Sequence, residues 1–174
     1  KILIHGGGKL ATQLSAKLGI ETKMIEGRRV TDEETVKVVT MTYAGWINKS
    51  VVAKLQAKCC NAIGVSGADA KLFPATKRAV RDIDYGFVGD LNSTTVNAAF
   101  LSNLIAEKTT PVVAPISADA AGHLLNVNAD TVARTIAEAM SESFAVKLIY
   151  CFEKNGLLRD VNDDASVIRN ISFD

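Results

Sequence analysis

Short apolar runs alternate along the chain with longer stretches in which apolar residues recur every three or four positions. Ile2–Ile4 is an apolar run followed at once by His5 and three glycines. Leucines then recur every fourth residue from Leu10 to Leu18, and Gly19 is placed to end a helix. The opening stretch therefore predicts a strand, a glycine turn and a helix.

A second helical pattern begins after residue 30. Thr31-Asp32-Glu33-Glu34 has the form of a capping box, in which Thr31 caps the helix and Glu34 reaches back to it. A long amphipathic helix should follow, interrupted near Gly45. Its large apolar side chains are interpreted either as core or as a subunit interface, where Trp and Tyr are enriched. They are Val36, Val39, Tyr43, Trp46 and Ile47.

The remaining segments continue the alternation of strands and helices. Residues 61–65, 110–116 and 146–152 are continuous apolar runs that predict buried strands, and the last of them is the strongest. Residues 94–108 predict a helix, and residues 126–130 lead into another. Because buried strands alternate with helices, we predict an α/β fold with a mainly parallel sheet that helices cover on both faces.

The composition is that of an ordinary soluble domain. The 174 residues are 48% hydrophobic and 22% charged, and the net charge of +1 gives no electrostatic argument for a nucleic-acid or membrane partner. No apolar run approaches the roughly 18 residues of a membrane span. The three cysteines form no disulfide framework, which favours a reducing, cytoplasmic setting, and no spacing of His or Cys predicts a metal site.

The glycine turn predicts a site for an anion. Glycines let a ligand approach the main-chain N–H groups, and the helix that begins there directs its positive end to the same point. Three motifs compete for this stretch. Gly6–Ala11 fits the dinucleotide pattern G-x-G-x-x-A weakly, the phosphate-binding motif G-x-x-x-x-G-K-[ST] fails after Lys9, and a glycine nest for a phosphoryl group or carboxylate remains.

Several polar residues elsewhere are candidates for the same site. Arg29 offers a planar fork suited to a carboxylate, although it and Arg28 also fit a solvated surface. Asn126 and Asn128 supply two carboxamides before a helix, where Asn128 could equally be a cap. Asp130 stands in the first helical turn, where a carboxylate also complements the helix dipole. Neither a Ser-His-Asp arrangement nor a cysteine beside a base is visible, so phosphoryl transfer fits these groups better than covalent catalysis.

Four segments together resemble the N-acetylglutamate kinases of the amino acid kinase family, over essentially the whole chain. They are His5–Gly8, Gly27–Thr31, Asn48-Lys49 and Asn126–Asp130. The resemblance implies a three-layer α/β/α sandwich that is usually dimeric. It also implies ATP-dependent phosphorylation, with Mg²⁺, of the side-chain carboxylate of N-acetyl-L-glutamate in arginine biosynthesis. A relative that uses N-succinylglutamate is included in this expectation.

The resemblance also implies roles for the candidate residues. Gly7 and Gly8 would donate N–H groups to the substrate and the transferring phosphoryl group, and Arg29 would hold a substrate carboxylate. Asn126 would contact the α-carboxylate or amide of the substrate, with Asn128 supporting the loop. Asp130 would act in catalysis by orienting two lysines. Nucleotide contacts are expected near three residues that follow the last predicted strand, Glu153, Asn155 and Gly156.

The resemblance further divides the chain into an N-acylglutamate-binding lobe, residues 1–140, and the start of a nucleotide-binding lobe, residues 141–174. The family's Lys-x-Gly-Gly and Gly-Gly-Met-x-x-Lys segments, which carry its two catalytic lysines, would lie before and after this sequence, and the chain is expected to be part of a longer one. Two alternatives stay open at this point. They are a non-catalytic N-acylglutamate-binding or regulatory module and a dinucleotide-dependent oxidoreductase.

Overall fold

The computed structural model describes residues 1–151 and 154–172. Its strands and helices follow one another along the chain as β1 (Leu3–Ile4), α1 (Gly8–Lys17), β2 (Met24–Ile25), β3 (Arg28–Arg29), α2 (Glu33–Thr40), α3 (Asn48–Gln56), β4 (Ala62–Ser66), β5 (Ala75–Lys77), β6 (Gly89–Leu91), α4 (Ala98–Ala106), β7 (Thr110–Ala114), β8 (Ile116–Ala118), β9 (Leu124–Asn126) and α5 (Ala129–Ser141). A π-helix, Met41–Ile47, joins α2 to α3, and short 3-10 helices cover Asp69–Lys71 and Ser93–Thr95.

The central sheet contains three parallel strands in the order β1-β7-β4. Val112 in the middle strand pairs with Leu3 on one side and with Gly64 on the other. The middle strand is buried from Pro111 to Ala114. Parallel sheets of this kind need cover on both faces, which explains why the strand sequences are apolar without alternation.

Helices supply that cover as two separate layers. On one face, Val65 and Val113 pack into a core with residues of α4 and α5. On the other face, Ala114 packs with Ala11 of α1 and Val39 of α2. Successive side chains of β7 therefore enter opposite cores, as strand geometry requires. The predicted α/β sandwich with a mainly parallel central sheet is confirmed.

Smaller antiparallel pairs surround the sheet and connect distant parts of the chain. They are β2-β3, β5-β6 and β8-β9. Backbone bonds link the segment after β3 to β9 through residue 87: Phe87 N donates to Thr31 O at 2.6 Å, and Asn126 N donates to Phe87 O at 2.9 Å. These bonds place two stretches separated by 95 residues side by side.

The helix that was expected to be interrupted near Gly45 continues through it. Thr40 and Asn48, on either side of the π-helix, keep right-handed helical dihedral angles, so the winding changes but the chain does not break. Tyr43 is buried on this segment and Trp46 is 72% exposed. None of the described helices combines the length and apolar character needed to cross a bilayer.

The predicted capping box is wrong in its first position. The N-cap of α2 is Asp32, whose carboxylate accepts from Thr35 N at 2.7 Å. Glu34 instead accepts from Lys37 Nζ at 2.7 Å. Asp is as good an N-cap as Thr, and the backbone pairing of Thr31 with residues 85–87 removes it from the helix end.

The predicted leucine face of α1 is also wrong. Leu10 and Leu18 are exposed, and the residues of this helix that are buried are Ala11 and Ser15. Small side chains at these positions let the helix backbone lie close to the rest of the core.

The apolar run 146–152 does not form the predicted strand. Residues 146–151 have no regular secondary structure, and Ile149 is 69% exposed. Residue 152 lies outside the described residues. A strand requires a hydrogen-bonding neighbour, and none of the described strands lies beside this run.

Candidate functional site

A cavity of about 210 Å³ opens where β1 and β7 end. Its wall combines the loop after β1, the end of β9 with the start of α5, and the β2-β3 hairpin. It is lined by Gly6, Gly7, Gly8, Met24, Gly27, Arg28, Arg29, Tyr43, Val88, Pro115, Asn126, Val127, Asn128 and Ala129. We call this space the ligand cavity, because the carboxyl ends of parallel strands are the usual place where α/β proteins bind small molecules.

The glycine loop, Gly6–Gly8, forms one wall of the ligand cavity and leads directly into α1. Gly7 is the N-cap of α1, no side chain caps the helix, and its first turn contains no acidic residue. A methyl group at Gly7 would lie 2.4 Å from Ile47 Cδ1 and 2.8 Å from Tyr43 Cδ1. Glycine is needed here because the π-helix packs directly against the loop backbone.

The N-terminus of α5 lies beside the glycine loop. A methyl group at Gly6 would be 3.9 Å from Ala129 Cβ, at the first residue of α5. Asn128 caps this helix, and its Oδ1 accepts from Thr131 N at 2.9 Å. Two helix N-termini therefore meet at the ligand cavity, and each contributes a partial positive charge of about half an elementary unit.

Arg29 is buried in the wall and bonded to the glycine loop. Its Nη2 donates to Gly8 O at 3.0 Å and to Thr12 Oγ1 at 2.8 Å, and its Nη1 donates to Thr22 Oγ1 at 3.1 Å. Both Nη2 hydrogens are used in this way, and the guanidinium also forms a hydrogen bond with the Tyr43 side chain. Arg28 also lines the ligand cavity and is exposed, and its side chain forms no hydrogen bond or ion pair with the described residues.

Tyr43 is a cavity residue that the sequence analysis interpreted as core or interface. It is 5% exposed, and burial raises the pKa of its hydroxyl, while the nearby Arg29 guanidinium opposes that rise. Helical periodicity identifies Tyr43 as an inward-facing residue. It cannot indicate that the inward direction leads to a ligand cavity.

Hydrogen bonds of His5 and Asn48 hold the start of the glycine loop against the central sheet. His5 Nδ1 lies 2.9 Å from Gly6 O, and His5 Nε2 lies 3.2 Å from Asn48 Nδ2, which also donates to Val112 O at 2.9 Å. A carbonyl oxygen only accepts, so His5 carries its proton on Nδ1 and accepts at Nε2. Burial lowers the pKa of His5, consistent with a neutral ring.

The electrostatic character of the ligand cavity is positive. Its only charged lining side chains among the described residues are Arg28 and Arg29. Together with two helix N-termini and the carboxamide of Asn126, they suit a small anionic molecule. Within residues 1–151 and 154–172, no group of three or more His, Cys, Asp or Glu side chains is placed to hold a metal ion.

Comparison with known proteins identifies the family. The model of the amino acid kinase family matches residues 1–174. The chain belongs to this family. An acetylglutamate kinase of Phocaeicola vulgatus is 57% identical over 168 residues, which are 97% of this chain and 65% of that protein. Those of Bacteroides thetaiotaomicron and Cytophaga hutchinsonii are each 54% identical, over 99% and 100% of this chain.

The chain spans slightly less than two thirds of the length of these amino acid kinase relatives. Solved structures share the fold at lower identity. The smu.665 protein of Streptococcus mutans aligns over 80% of this chain and 56% of its own, with a TM-score of 0.73 and 24% identity. An N-acetylglutamate synthase of Neisseria gonorrhoeae, solved with coenzyme A and N-acetyl-glutamate, aligns over 80% and 31%, with a TM-score of 0.68 and 21% identity.

In this amino acid kinase fold, the structure brings together five of the residues predicted from the sequence. Gly7, Gly8, Arg29, Asn126 and Asn128 all line the ligand cavity. Family membership and these relatives do not favour the dinucleotide interpretation of the glycine turn.

Other predicted site residues lie elsewhere. Asp130 is exposed in the first turn of α5, next to Ala129 but outside the cavity wall. Asn155 and Gly156 are not part of the ligand cavity, and Asn155 Nδ2 donates to Asp164 O at 3.4 Å. Glu153 lies outside the described residues.

Proposed function

We propose that the protein transfers the γ-phosphoryl group of ATP to the side-chain carboxylate of N-acetyl-L-glutamate, or of another N-acylglutamate, in arginine biosynthesis. The observation that carries the proposal is the meeting of two helix N-termini and Arg29 at one small cavity without carboxylates among its described residues. A doubly anionic small molecule matches that arrangement. The name of the relatives, acetylglutamate kinase, supports the same substrate.

In this proposal, the glycine loop serves the reacting groups. A carboxylate oxygen of the substrate attacks the γ-phosphorus of ATP, the bond to the bridging oxygen breaks, and ADP leaves. The amides of Gly7 and Gly8, at the positive end of α1, stabilise the acceptor carboxylate and the charge on the transferring phosphoryl group. Positioning and charge stabilisation account for most of the rate in such a transfer.

The remaining cavity residues bind the rest of the substrate. Arg29 provides the α-carboxylate with guanidinium N–H groups that do not bond Gly8 or Thr12, and Asn126 contacts the α-carboxylate or the amide. Asn128 holds the loop through its helix cap. Asp130, one residue beyond the cavity wall, is proposed to orient catalytic lysines, as the family resemblance implies.

ATP and Mg²⁺ are proposed from the family alone. The described wall of the ligand cavity contains no carboxylate that could bind Mg²⁺, so no residue there is assigned to the metal. We propose that residues 1–140 form the N-acylglutamate-binding lobe. We further propose that residues 141–174 begin the nucleotide-binding lobe, with Glu153, Asn155 and Gly156 near the nucleotide.

The test is a coupled assay of ADP release by the full-length protein with ATP and either N-acetyl- or N-succinyl-L-glutamate. Turnover with one of them, and none with unacylated L-glutamate, is the expected result. Calorimetry with the same ligands separates two failures. Binding without turnover would leave a binding or regulatory module, and neither binding nor turnover with any N-acylglutamate would overturn the proposal.

We propose that the protein is a homodimer. Trp46 and Met41 project from the π-helix with 72% and 54% of their surfaces exposed, and β4 is an edge strand of the central sheet. Large exposed apolar side chains beside an unpaired strand edge are typical of a surface that a second copy covers. Analytical ultracentrifugation of the wild type and of Trp46→Glu tests this: a dimer that becomes a monomer is expected.

We propose a cytoplasmic location. Cys59, Cys60 and Cys151 form no disulfide, and two of them are exposed. Exposed thiols are compatible with a reducing compartment. Fractionation of cells with an antibody to the protein tests the location, and recovery outside the cytoplasm would contradict it.

A further inference from the structure

Thr31 is completely buried, and its hydroxyl both donates and accepts a hydrogen bond. The hydroxyl donates to Arg29 O at 3.1 Å, and it accepts from Asn126 Nδ2 at 3.1 Å. One residue thus touches both the strand that carries Arg29 and the loop that carries Asn126. The capping-box interpretation assigned this hydroxyl to the N-terminus of α2, where Asp32 is the actual cap, and the proposed reaction does not use it.

The direction of these two bonds follows from the number of hydrogens available. A threonine hydroxyl has a single hydrogen, and here it points to a carbonyl oxygen, which can only accept. Toward Asn126 the hydroxyl can therefore only accept. This selects one of the two orientations of the Asn126 carboxamide, with Nδ2 toward Thr31 and Oδ1 away from it.

The backbone around Thr31 holds the hydroxyl in place. Thr31 N donates to Tyr85 O at 2.9 Å, and Thr31 O accepts from Phe87 N at 2.6 Å. A methyl group at Gly86, whose φ is +71°, would lie 2.2 Å from Thr31 O, so a glycine is required for this approach. Asn126 N is bonded to Phe87 O in the same set of strands, which sets the distance between the two side chains.

We propose that Thr31 is a positioning residue that fixes the orientation of the Asn126 carboxamide in the ligand cavity. In this orientation Asn126 keeps Oδ1 and its second Nδ2–H for a ligand, and no other described residue bonds to them. The inference rests on the proposed function for its effect on substrate. The orientation itself is a property of the free protein.

The central experiment compares Thr31→Val and Thr31→Ser in the full-length protein. Valine keeps the shape and removes the hydroxyl, whereas serine keeps the hydroxyl. We expect Thr31→Val to raise the Kd and KM for N-acetyl-L-glutamate about tenfold, because Asn126 then loses its buried acceptor. Thr31→Ser should stay within about threefold of the wild type. The control is Thr42→Val, which removes a buried hydroxyl that donates to Val38 O within its own helix, and which should leave the Kd unchanged.

A second measurement needs neither a variant nor a ligand. The two side-chain amide protons of Asn126 in the free wild-type protein are followed by NMR over a range of temperatures. We expect one proton, the donor to Thr31, to show a much smaller temperature coefficient than the other. This measurement remains available if Thr31→Val does not fold.

The outcomes separate the inference from the proposed function. The role of Thr31 would be overturned if Thr31→Val and Thr31→Ser lost equal affinity for N-acetyl-L-glutamate, or if Thr31→Val lost none. Equal temperature coefficients for the two Asn126 side-chain amide protons would also overturn it. No binding of N-acylglutamates by the wild type, with the unequal amide protons still present, would overturn the proposed function and leave the orientation of Asn126 supported.

Discussion

The guanidinium of Arg29 and the carbonyl oxygen of Gly8 are joined by a 3.0 Å hydrogen bond across 21 positions of sequence. The bond connects β3 to the first residue of α1, and a second bond from the same nitrogen to Thr12 Oγ1 doubles the connection. An arginine that is 7% exposed and bonded in this way holds the glycine loop as well as contributing charge to the ligand cavity.

Replacement of Arg29 by Lys should therefore affect both the loop and ligand binding. Lysine keeps the charge but cannot reproduce the planar fork that bonds Gly8, Thr12 and Thr22 at once. We expect kcat/KM for the N-acylglutamate to fall at least about tenfold and the melting temperature to decrease, because the three hydrogen bonds that join Arg29 to α1 and to Thr22 are not all replaced. Arg28→Lys, at an exposed position in the same wall, is the control and should change the melting temperature little. Equal effects in the two variants would contradict this role of Arg29.

Gly7→Ala should destabilise the protein, and Gly8→Ala should not. A methyl group at Gly7 would meet Ile47 and Tyr43 at 2.4 and 2.8 Å, whereas nothing lies within 4 Å of one at Gly8. We expect the free energy of unfolding to fall by about 1–3 kcal/mol in Gly7→Ala, which is typical of overpacking. Urea denaturation measures the difference. Adding Ile47→Val, which removes the atom at 2.4 Å, should restore part of the loss, and a failure to do so would point to another cause.

The sequence predicted these glycines for a different reason from the one that the structure gives. A glycine turn between strand and helix is a local signal, and it correctly located the N-terminus of α1 and the ligand cavity. The close packing of Ile47 against Gly7 depends on the π-helix 40 residues later. No periodicity in the sequence specifies a π-helix, so this part of the wall was not predictable.

Asp32→Ala should remove the N-cap of α2. Its carboxylate accepts from Thr35 N at 2.7 Å, and a lost cap costs about 1 kcal/mol. Asp32→Asn should retain most of that stability at neutral pH, and Glu34→Ala should change it little, because Glu34 does not take part in the cap. Thermal unfolding measures all three. A loss in Glu34→Ala as large as that in Asp32→Ala would restore the capping-box interpretation.

The Asp32 cap should also make the stability of the fold depend on pH in the acid range. Hydrogen bonds from the side chain and backbone of Thr35 lower the pKa of Asp32 below its ordinary value of about 3.9. The stabilising contribution of the ionised carboxylate is therefore fully present above that value and is lost as the pH falls through the lower pKa of the folded state. Asp32→Asn should lack this part of the pH dependence.

His5 should make the fold sensitive to pH at a higher range. Burial lowers its pKa below the ordinary value for histidine, about 6.5, so the unfolded chain takes up a proton more readily than the folded protein. Stability is unaffected above about pH 6.5 and decreases as the pH falls from there toward the lower pKa of the folded state. His5→Gln should remove this decrease, and His123→Gln, at an exposed position, should not.

The state of His5 can be observed directly, because the chain contains only two histidines. NMR correlation of the imidazole nitrogens should show His5 protonated on Nδ1 near neutral pH, as its contacts with Gly6 O and Asn48 Nδ2 require. An Nε2–H form, or a pKa for His5 at or above that of a free imidazole, would contradict these contacts.

The sequence predicted features that depend on neighbouring residues and missed those that depend on contacts between distant segments. The helix after Asn126–Asp130 was predicted, and the cap at Asn128 was one of two interpretations left open, because a cap and the helix it begins are neighbours in sequence. The bonds of Arg29 to Thr12 and Gly8, and of Thr31 to Asn126, span 17 to 95 residues, and they depend on how β3, α1 and β9 are assembled. The apolar run 146–151 shows the opposite error, since it is hydrophobic but none of the described strands pairs with it.

The π-helix has a consequence for anyone who aligns or redesigns this chain. Each residue of an α-helix turns the next by about 100°, so a helix wound with fewer residues in Met41–Ile47 would rotate everything after it relative to α2. Asn48, which enters the space left open by Gly64, would then leave both His5 and Val112. A single-residue gap placed in this stretch would thus look minor in an alignment and yet describe a protein whose anion-facing backbone has lost its support.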